Sequence, residues 1–326
     1  MQSVLPELQE KIEALIVHNP NITWKRNELL GPKSYFKIGG AADVFAEISL
    51  RDQLLAAVTF CHLHQIPITY LGGASNVVID DAGVRGVVIK WTGEDAGVVE
   101  NGKKSKLFFA EAGIKTATLV SKSVTLGFTG LEYFLGVPGT LGGAIYNNAH
   151  YMQDLIGEHV ESVEVLGASN TFEWISKDNC AFAYEKSRFQ SSKEVIVSVR
   201  FSLKSGEEAL SKSKIADATR YRASTQPLGI PSSGCIFQNV PNTPELQSKF
   251  PKFADKKFVP AGFIIDRAGL KGLRVGDIEV SEKHAAWLIN KGTGTADQVS
   301  KIIQKIKESV QEKYGVSLTE EVFYLR

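Results

Sequence analysis

Residues 127–149 read GFTGLEYFLGVPGTLGGAIYNNA, and this glycine-dense segment decides which folds the chain can adopt. Five glycines and one proline fall between Gly130 and Gly143. This composition is incompatible with a regular helix or strand, so the backbone should turn sharply several times or approach a ligand closely. Two interpretations stay open. The segment binds a flat ring system through backbone N–H groups and Asn147 or Asn148, or it forms an elaborate buried loop.

A second glycine segment, Leu71-Gly72-Gly73-Ala74-Ser75-Asn76, follows the strand-like residues 66–70 and precedes the apolar residues 77–79. Its glycines would let backbone N–H groups surround an anion, and Ser75 and Asn76 add side-chain donors, which suits a pyrophosphate. A tight turn between strands is the alternative, because glycine is a common turn residue. The segment does not have the G-x-G-x-x-G spacing of a dinucleotide motif, and no helix is expected to open directly after it.

Apolar periodicity predicts both helices and strands, so the protein should be α+β with several domains. Helices are predicted at residues 5–16, at residues 52–63, and between a Thr295–Gln298 capping pair and a stop at Gly315. The last of these presents one apolar face, made of Val299, Ile302, Ile303, Ile306 and Val310. Strands are predicted at residues 67–71, 77–80, 86–90, 107–110, 160–165, 195–203 and 316–325.

The predicted domains are residues 1–90 and 91–214, which form two subdomains, and residues 215–326, which form a C-terminal domain. The polar residues 204–214, with the sequence KSGEEALSKSK, are the best boundary candidate because they have almost nothing to bury.

The composition excludes several classes of protein. A net charge of +1 gives no reason to expect nucleic acid or an anionic membrane as a partner. No apolar run approaches the ~18–20 residues that span a bilayer, and the first residues lack the basic start and cleavage site of a signal peptide. Three cysteines, far apart, indicate neither a disulfide framework nor a zinc site. We therefore expect a cytoplasmic monomer that binds no metal, nucleic acid or membrane.

A series of segments, in the same order over most of the chain, resembles the UDP-N-acetylenolpyruvoylglucosamine reductase family. The segments are residues 34–40, 72–76, 130–149, 226–228, 231–239, 268–272, 280–285 and 318–322. The resemblance implies an α+β fold, with a two-subdomain FAD-binding region of the vanillyl-alcohol-oxidase type and a C-terminal α+β substrate domain. It further implies non-covalent FAD, NADPH as the hydride donor, and reduction of the enolpyruvyl double bond of a nucleotide sugar in peptidoglycan synthesis.

The resemblance also implies which residues bind the flavin, and they lie in three segments. These residues are Ile38, Gly39, Gly40, Gly72, Gly73, Ala74, Ser75, Asn76, Gly136, Pro138, Gly139, Thr140, Gly142, Gly143, Ala144 and Asn148.

Cys235 takes the position of the family's proton donor, where many members have serine. A free thiol has a pKa of ~8.5, so it is protonated at neutral pH and yet far more acidic than an alcohol. The replacement is therefore chemically sound. Without the resemblance, a small buried turn residue would be the better interpretation, because free cysteine is among the most buried residue types.

Glu321 matches the family's catalytic glutamate, the second acid of the site. Because successive residues of a strand face opposite sides, Glu320 is expected to point away from that site. The resemblance implies that Tyr184, Arg222 and Asn239 contact the substrate.

Several positions depart from the family pattern. Glu185 stands where the family has an arginine that polarises the substrate carboxylate, and His150 stands where glycine is usual. An acidic residue would repel a carboxylate, so Arg188 is the predicted replacement, and Lys186 is the lesser candidate because it lacks a planar fork. A surface position is the alternative for Arg188. Gln238 stands where lysine is common, which removes one possible diphosphate contact.

Two other functions fit parts of the sequence. The N-terminal half alone permits a flavin oxidase or dehydrogenase of a small alcohol or sugar lactone, but residues 233–239 and 281–285 argue against it. A non-catalytic flavin- or nucleotide-binding relative would account for Glu185 and His150, whereas Cys235 and Glu321 argue for an enzyme.

Overall fold

The computed structural model describes residues 6–101, 105–151 and 154–326, so Leu5 of the predicted first helix lies outside the described residues. The helices are α1 (Pro6–His18), α2 (Arg51–Leu63), α3 (Thr116–Thr125), α4 (Leu141–Tyr146), α5 (Ile156–His159), α6 (Phe189–Ser192), α7 (Glu208–Thr225), α8 (Pro244–Lys249), α9 (Ala261–Arg267) and α10 (Ala296–Tyr314). The predicted first helix is confirmed as α1, with Ile12 and Leu15 buried.

The strands interleave with these helices, which confirms the α+β prediction. They are β1 (Lys25–Leu29), β2 (Ala41–Ile48), β3 (Ile68–Tyr70), β4 (Val77–Ile79), β5 (Val84–Trp91), β6 (Ala96–Asn101), β7 (Ser105–Glu111), β8 (Phe128–Thr129), β9 (His150–Tyr151), β10 (Asp154–Leu155), β11 (Val160–Leu166), β12 (Phe172–Ser176), β13 (Val195–Phe201), β14 (Lys204–Ser205), β15 (Ser232–Cys235), β16 (Val240–Pro241), β17 (Phe258–Val259), β18 (Arg274–Val275), β19 (Ile278–Val280), β20 (Trp287–Asn290) and β21 (Phe323–Leu325).

The chain divides into two compact units. Unit 1 comprises Met1–Glu28, Ala42–Ala74 and Val84–Arg222, and unit 2 comprises Leu29–Ala41, Ser75–Gly83 and Ala223–Arg326. A further division of unit 1 at residue 90 stays a prediction. Residues 208–214 are the first turns of α7, where the hydroxyl of Ser211 is buried against Glu132, and the domain boundary at residue 214 stays a prediction.

Unit 1 contains a four-stranded sheet in the order β1-β2-β5-β3. β2 and β3 both pair in parallel with β5, and α2 provides the crossover that a parallel connection requires. Leu54, Val58 and Cys61 of α2 are buried in the same core as Val44 of β2 and Val87 of β5. The glycine segment at residues 71–76 therefore leaves the carboxyl end of β3.

The second sheet of unit 1 is antiparallel, in the order β12-β11-β13-β7-β6. Leu119 and Val120 of α3 belong to the same buried cluster as Phe108 and Ala110 of β7 and Val199 of β13. This cluster fixes α3, after which the glycine-dense segment begins.

The glycine-dense segment contains one short helix, α4, although its composition argues against any helix. Gly142 and Gly143 both lie within α4, whereas Leu141, Ala144 and Ile145 are buried. Burial of one apolar face compensates for the low helix propensity of glycine. The prediction that this segment excludes a regular helix was therefore wrong for α4.

In unit 2, α10 follows its prediction closely. Its five predicted apolar residues are buried. The hydroxyl of Thr295 accepts a hydrogen bond from the backbone N–H of Gln298 (3.2 Å), and Gly315 ends the helix in the left-handed conformation, with φ 71°. The other half of the predicted capping pair is not formed, because the side-chain oxygen of Gln298 accepts a hydrogen bond from the backbone N–H of Asp277 (3.1 Å) and not from that of Thr295.

The C-terminal strand is shorter than predicted. β21 covers only residues 323–325 of the expected 316–325 and pairs in parallel with β4, with Phe323 opposite Val77. The partner strand has three residues, so the ladder cannot extend further. Val316 and Leu318 instead insert into the apolar core of unit 2.

Glu132 is a buried acid whose importance is not visible in the sequence. Its carboxylate accepts hydrogen bonds from the backbone N–H of Gly130 (2.7 Å) and the hydroxyls of Ser211 (2.7 Å) and Thr129. Burial alone would raise its pKa, but these hydrogen bonds outweigh burial and lower the pKa to about 2. Glu132 thus joins α7 to the start of the glycine-dense segment.

Glu132→Gln should lower the free energy of unfolding at neutral pH by about 3 kcal/mol, since the pKa falls from 4.5 to about 2 on folding. A depressed folded-state pKa gives a contribution that is complete above pH 4.5 and is lost as the pH falls towards 2, so wild type and variant should converge in acid. Urea denaturation at about pH 7 and about pH 3.5 measures both differences.

Glu208→Gln is the matched control, because it removes an exposed pair with Lys212 on the same helix. It should change the stability by less than about 1 kcal/mol. Equal losses in the two variants would contradict the anchoring role of Glu132.

Candidate active site

The two glycine segments lie against each other in unit 1. A Cβ atom on Gly73 would stand 2.3 Å from the Cα of Gly139, and one on Gly72 would stand 2.9 Å from Oγ1 of Thr140. Gly139 (φ 104°) and Ala74 (φ 52°) both have left-handed backbones. Such a close approach of two backbones is possible only where side chains are absent. The structure therefore brings together the two glycine segments, which are separate in the sequence.

Other residues of the glycine-dense segment serve packing. A Cβ atom on Gly136 would stand 2.7 Å from the side chain of Arg222, and one on Gly142 would stand 3.2 Å from Ala112. Gly143 is less confined, since a Cβ atom there would stand 3.9 Å from Oγ1 of Thr140. Gly136 thus lets the cation of α7 approach the segment.

Asn148 is fully buried, and its side-chain amide is hydrogen-bonded to other residues of unit 1. Its Nδ2 donates to the carbonyl of Ala183 (2.7 Å), and its Oδ1 accepts from the backbone N–H of Gly157 (2.9 Å). Direct flavin contact by Asn148 stays a prediction, as it does for Pro138 and for Ala144, which is buried in α4.

The remaining predicted flavin residues belong to unit 2. Ile38 is buried, Gly39 has φ 125°, and a Cβ atom on Gly40 would meet a backbone oxygen at 2.4 Å. The chain passes from unit 1 to unit 2 between Ala74 and Ser75. The predicted cofactor residues are therefore divided between the two units.

Two motifs that are far apart in sequence pair side by side in unit 2. The backbone N–H of Glu321 donates to the carbonyl of Ile236 (2.7 Å), and residues 237 and 320 form a β-bridge. The side-chain amide of Asn76 donates to the carbonyl of Glu321 (3.2 Å). Cys235 and Glu321, the two predicted catalytic acids, thus lie on paired segments.

Cys235 is the most accessible of the three cysteines. It is half-buried at the end of β15, opposite Trp287, and follows Gly234, whose φ is 82°. Cys61 and Cys180 are fully buried, and burial raises the pKa of their thiols to about 12 and about 11. Thiol chemistry at neutral pH is therefore confined to Cys235.

Glu320 and Glu321 have different surroundings. The carboxylate of Glu320 accepts hydrogen bonds from the ammonium of Lys307 and the hydroxyl of Tyr324. Burial, together with the hydrogen bond to Glu320, raises the pKa of Tyr324. Glu320 is thus part of a structural cluster, and the catalytic role of Glu321 stays a prediction.

The predicted substrate residues occupy distinct settings. In unit 1, the guanidinium carbon of Arg222 lies 5.4 Å from the ring centre of Tyr151, and the ring of Tyr184 lies 5.0 Å from that of His150. In unit 2, Oδ1 of Asn239 accepts a hydrogen bond from the first N–H of α9 (3.2 Å). Their contact with a substrate stays a prediction.

Arg188 has a partner within unit 1. Its Nη2 and Nε donate to the carboxylate of Glu194 (2.7 and 3.2 Å), and its Nη1 lies 3.4 Å from the carbonyl of Asn179. The planar fork that was predicted to hold a substrate carboxylate is thereby engaged by Glu194. The substrate role of Arg188 stays a prediction.

The side chains of the two departures, at positions 150 and 185, contact each other. Nδ1 of His150 lies 2.5 Å from Oε1 of Glu185, and the amide of Asn147 donates to Oε2. The side chain of Glu185 is 1% exposed, and that of His150 is 22% exposed. Sequence reasoning treated the two residues separately and missed the pair, since their only shared signal was that both depart from the family pattern.

The described residues set two further limits. No three histidine, cysteine, aspartate or glutamate side chains among them are arranged to hold a metal ion. None of the helices in these ranges is long and apolar enough to cross a membrane.

Comparison with known proteins adds to this geometry. Residues 226–325 match the family model of the UDP-N-acetylenolpyruvoylglucosamine reductase C-terminal domain, and residues 42–176 match that of an FAD binding domain. The UDP-N-acetylenolpyruvoylglucosamine reductase 2 of Bacillus cereus is 33% identical to this chain, over 97% of each chain. The chain belongs to the UDP-N-acetylenolpyruvoylglucosamine reductase family.

Further members of the reductase family match over similar lengths. The Desulforamulus reducens reductase is 36% identical over 91% of each chain. The crystal structure of the Thermus caldophilus reductase is 27% identical, with a TM-score of 0.74 over 94% of this chain and 99% of that one. These matches confirm the predicted fold and make the protein a flavin-dependent oxidoreductase of the reductase family.

The glycine contact of unit 1 fits the FAD-binding region of this reductase family. Gly72, Gly73, Gly139 and Thr140 all lie within the matched residues 42–176. A Cβ atom on Gly72 or Gly73 would collide with Thr140 or Gly139, so the backbone is bare at this contact, and a bare backbone suits a pyrophosphate or a flat ring.

Gly73→Ala should force the two glycine segments apart, because its methyl group would collide with the backbone of Gly139. We expect a loss of about 1–3 kcal/mol in stability and a lower flavin-to-protein ratio after gel filtration. Gly97→Ala is the control, since its Cβ atom would meet nothing within 4 Å. Full flavin retention by Gly73→Ala would rule out this contact as part of the FAD site.

Thiol titration should find one reactive cysteine in the native protein and three after denaturation, because two thiols are fully buried. An aromatic disulfide reagent at neutral pH measures this number, and Cys235→Ser should abolish the native reaction. Rapid labelling of Cys61 or Cys180 in the native protein would contradict the assignment.

Proposed function

We propose that this protein catalyses the NADPH-dependent, FAD-mediated reduction of the enolpyruvyl double bond of UDP-N-acetyl-3-O-(1-carboxyvinyl)glucosamine. The product would be UDP-N-acetylmuramate, a precursor of peptidoglycan. The observation that carries this proposal is the pairing of the Cys235 segment with the Glu321 segment in unit 2. The names of the relatives and the match to an FAD binding domain support it.

Reduction of the double bond adds one hydride and one proton to neighbouring carbons. FAD, once reduced by NADPH, supplies the hydride. Gly72, Gly73, Gly139 and Thr140 would hold the cofactor through backbone N–H groups, because a glycine backbone without side chains would let a ligand approach closely.

Cys235 is our candidate for the proton donor. Its S–H bond breaks as the new C–H bond forms, and the thiolate regains a proton from solvent. The support is chemical and geometric, since a thiol is acidic enough for this step and Cys235 is the accessible cysteine of the chain.

Glu321 would orient the proton donor or polarise the substrate from the neighbouring segment. Tyr184, Arg222 and Asn239 would contact the nucleotide sugar. Positive charge is needed at the substrate carboxylate, where negative charge develops during hydride transfer. A cytoplasmic location and a monomeric state stay predictions.

The two half-reactions test the function and the role of Cys235 separately. Under anaerobic stopped-flow conditions, NADPH should bleach the flavin absorbance, and the enolpyruvyl sugar nucleotide should restore it. Cys235→Ala should be reduced at the wild-type rate and reoxidised about 10²–10⁴-fold more slowly, since general acid catalysis contributes about that factor. Cys235→Ser should keep substantial activity, because a hydroxyl can deliver the proton from nearly the same place.

The outcomes are distinguishable. Wild-type flavin that is not reoxidised by this substrate would overturn the proposed function. Reduction of the flavin by a small alcohol or sugar lactone instead of NADPH would favour the oxidase alternative. Normal reoxidation of Cys235→Ala would leave the function intact and remove Cys235 as the proton donor.

A further inference from the structure

Glu185 is held in a conformation that acidic residues rarely adopt. Its backbone is left-handed, with φ 54°, in a tight turn closed by hydrogen bonds between Ala183 and Lys186 (3.0 and 3.1 Å). The side-chain amide of Gln190 donates to the carbonyl of Glu185 (3.0 Å). Strained backbones of this kind persist only where the surroundings fix them, and they are concentrated at functional sites.

The carboxylate of Glu185 is buried, with one oxygen hydrogen-bonded by Asn147 and the other beside the ring of His150. Asn147, directly after α4, donates its amide to Oε2, and Nδ1 of His150 lies 2.5 Å from Oε1. A buried carboxylate without such partners would be costly. The contacts therefore fix both the acid and the orientation of the histidine ring.

The other edge of the His150 ring is available. The side chain is 22% exposed, its ring lies against that of Tyr184 at 5.0 Å, and Nε2 has no hydrogen-bond partner among the described residues. An imidazole carries an N–H at Nε2 in one neutral tautomer and in its protonated form. Such a group is a charge-assisted donor for an anion.

Unit 1 contains a second histidine–acid pair, which differs from the His150–Glu185 pair in the exposure of its acid. Nε2 of His159 lies 2.8 Å from the carboxylate of Asp154, and the His159 side chain is also 22% exposed. However, Asp154 is 25% exposed, whereas Glu185 is 1% exposed. Solvent can hydrate the carboxylate of Asp154, whereas the carboxylate of Glu185 is shielded from solvent and contacts only neighbouring protein groups.

We propose that His150, positioned by Glu185, is a substrate-binding residue that donates Nε2–H to the carboxylate of the enolpyruvyl group. This assignment rests on the proposed function, and it gives the role of binding the substrate carboxylate to His150 in place of Arg188, whose fork is engaged by Glu194. The carboxylate of Glu185 is 1% exposed, so the pair presents the imidazole and not the acid to solvent. Tyr184, against the same ring, forms part of the binding surface.

Calorimetric titration of the FAD-loaded protein tests this assignment by comparing two ligands. One is the enolpyruvyl sugar nucleotide, and the other is UDP-N-acetylglucosamine, which lacks the carboxylate. His150→Gln should weaken binding of the first ligand about 10- to 100-fold, as loss of a charge-assisted hydrogen bond predicts. Binding of the second ligand should not change. Glu185→Gln should reproduce this selective loss, and the rate of flavin reduction by NADPH should stay at the wild-type value in both variants.

His159→Gln is the matched control and should leave both affinities unchanged. Any of three results would overturn the assignment. His150→Gln could bind the carboxylate ligand with unchanged affinity, it could bind both ligands equally more weakly, or Arg188→Ala could show the selective loss instead. If wild type binds the carboxylate ligand in a His150-dependent way but does not reduce it, the proposed function fails and the assignment stands. If wild type reduces it and His150→Gln binds it normally, the assignment fails alone. Should either variant not fold, the other gives the same comparison.

Discussion

The close approach of Gly73 to Gly139 is the constraint on which unit 1 depends. The first residue follows a strand of the four-stranded sheet, and the second follows α3, which is packed on the antiparallel sheet. With a Cβ atom at 2.3 Å from Gly139, the two backbones could not meet. Because the contact excludes side chains, its surface consists of backbone polar groups, as an anion or a flat cofactor requires. Glu132 secures the same segment from the α7 side through its buried hydrogen bonds.

Unit 2 depends on a different kind of contact, made by backbone hydrogen bonds between distant segments. β21 pairs in parallel with β4. Asn76 lies one residue before β4; its backbone carbonyl accepts a hydrogen bond from the N–H of Phe323, and its side-chain amide donates to the carbonyl of Glu321. The Ile236–Glu321 hydrogen bond then brings in the segment that carries Cys235. A motif predicted to serve the cofactor thus also positions the segment that carries the predicted second acid.

The pair formed by His150 and Glu185 shows how two changes can compensate each other. Read singly, an acid in place of an arginine and a histidine in place of a glycine both suggest loss of function. In the folded chain, the two side chains contact each other, and the acid is buried while the imidazole stays partly exposed. Arg188 was predicted to replace the missing arginine because it is near in sequence. Its guanidinium is instead paired with the carboxylate of Glu194.

The sequence by itself determined the α+β class, the first helix, α2, α10 and its Thr295 cap, because periodic burial and local capping depend on neighbours within a few residues. It also located both glycine segments and the cysteine and glutamate of the C-terminal motifs. Tertiary structure alone decided that Leu141–Tyr146 is helical and that residues 208–214 belong to α7, since burial against distant residues overrides composition. It also decided that the last strand is short and that Glu185 meets His150. These outcomes depend on contacts between residues far apart in the chain, and local patterns carry no information about such contacts.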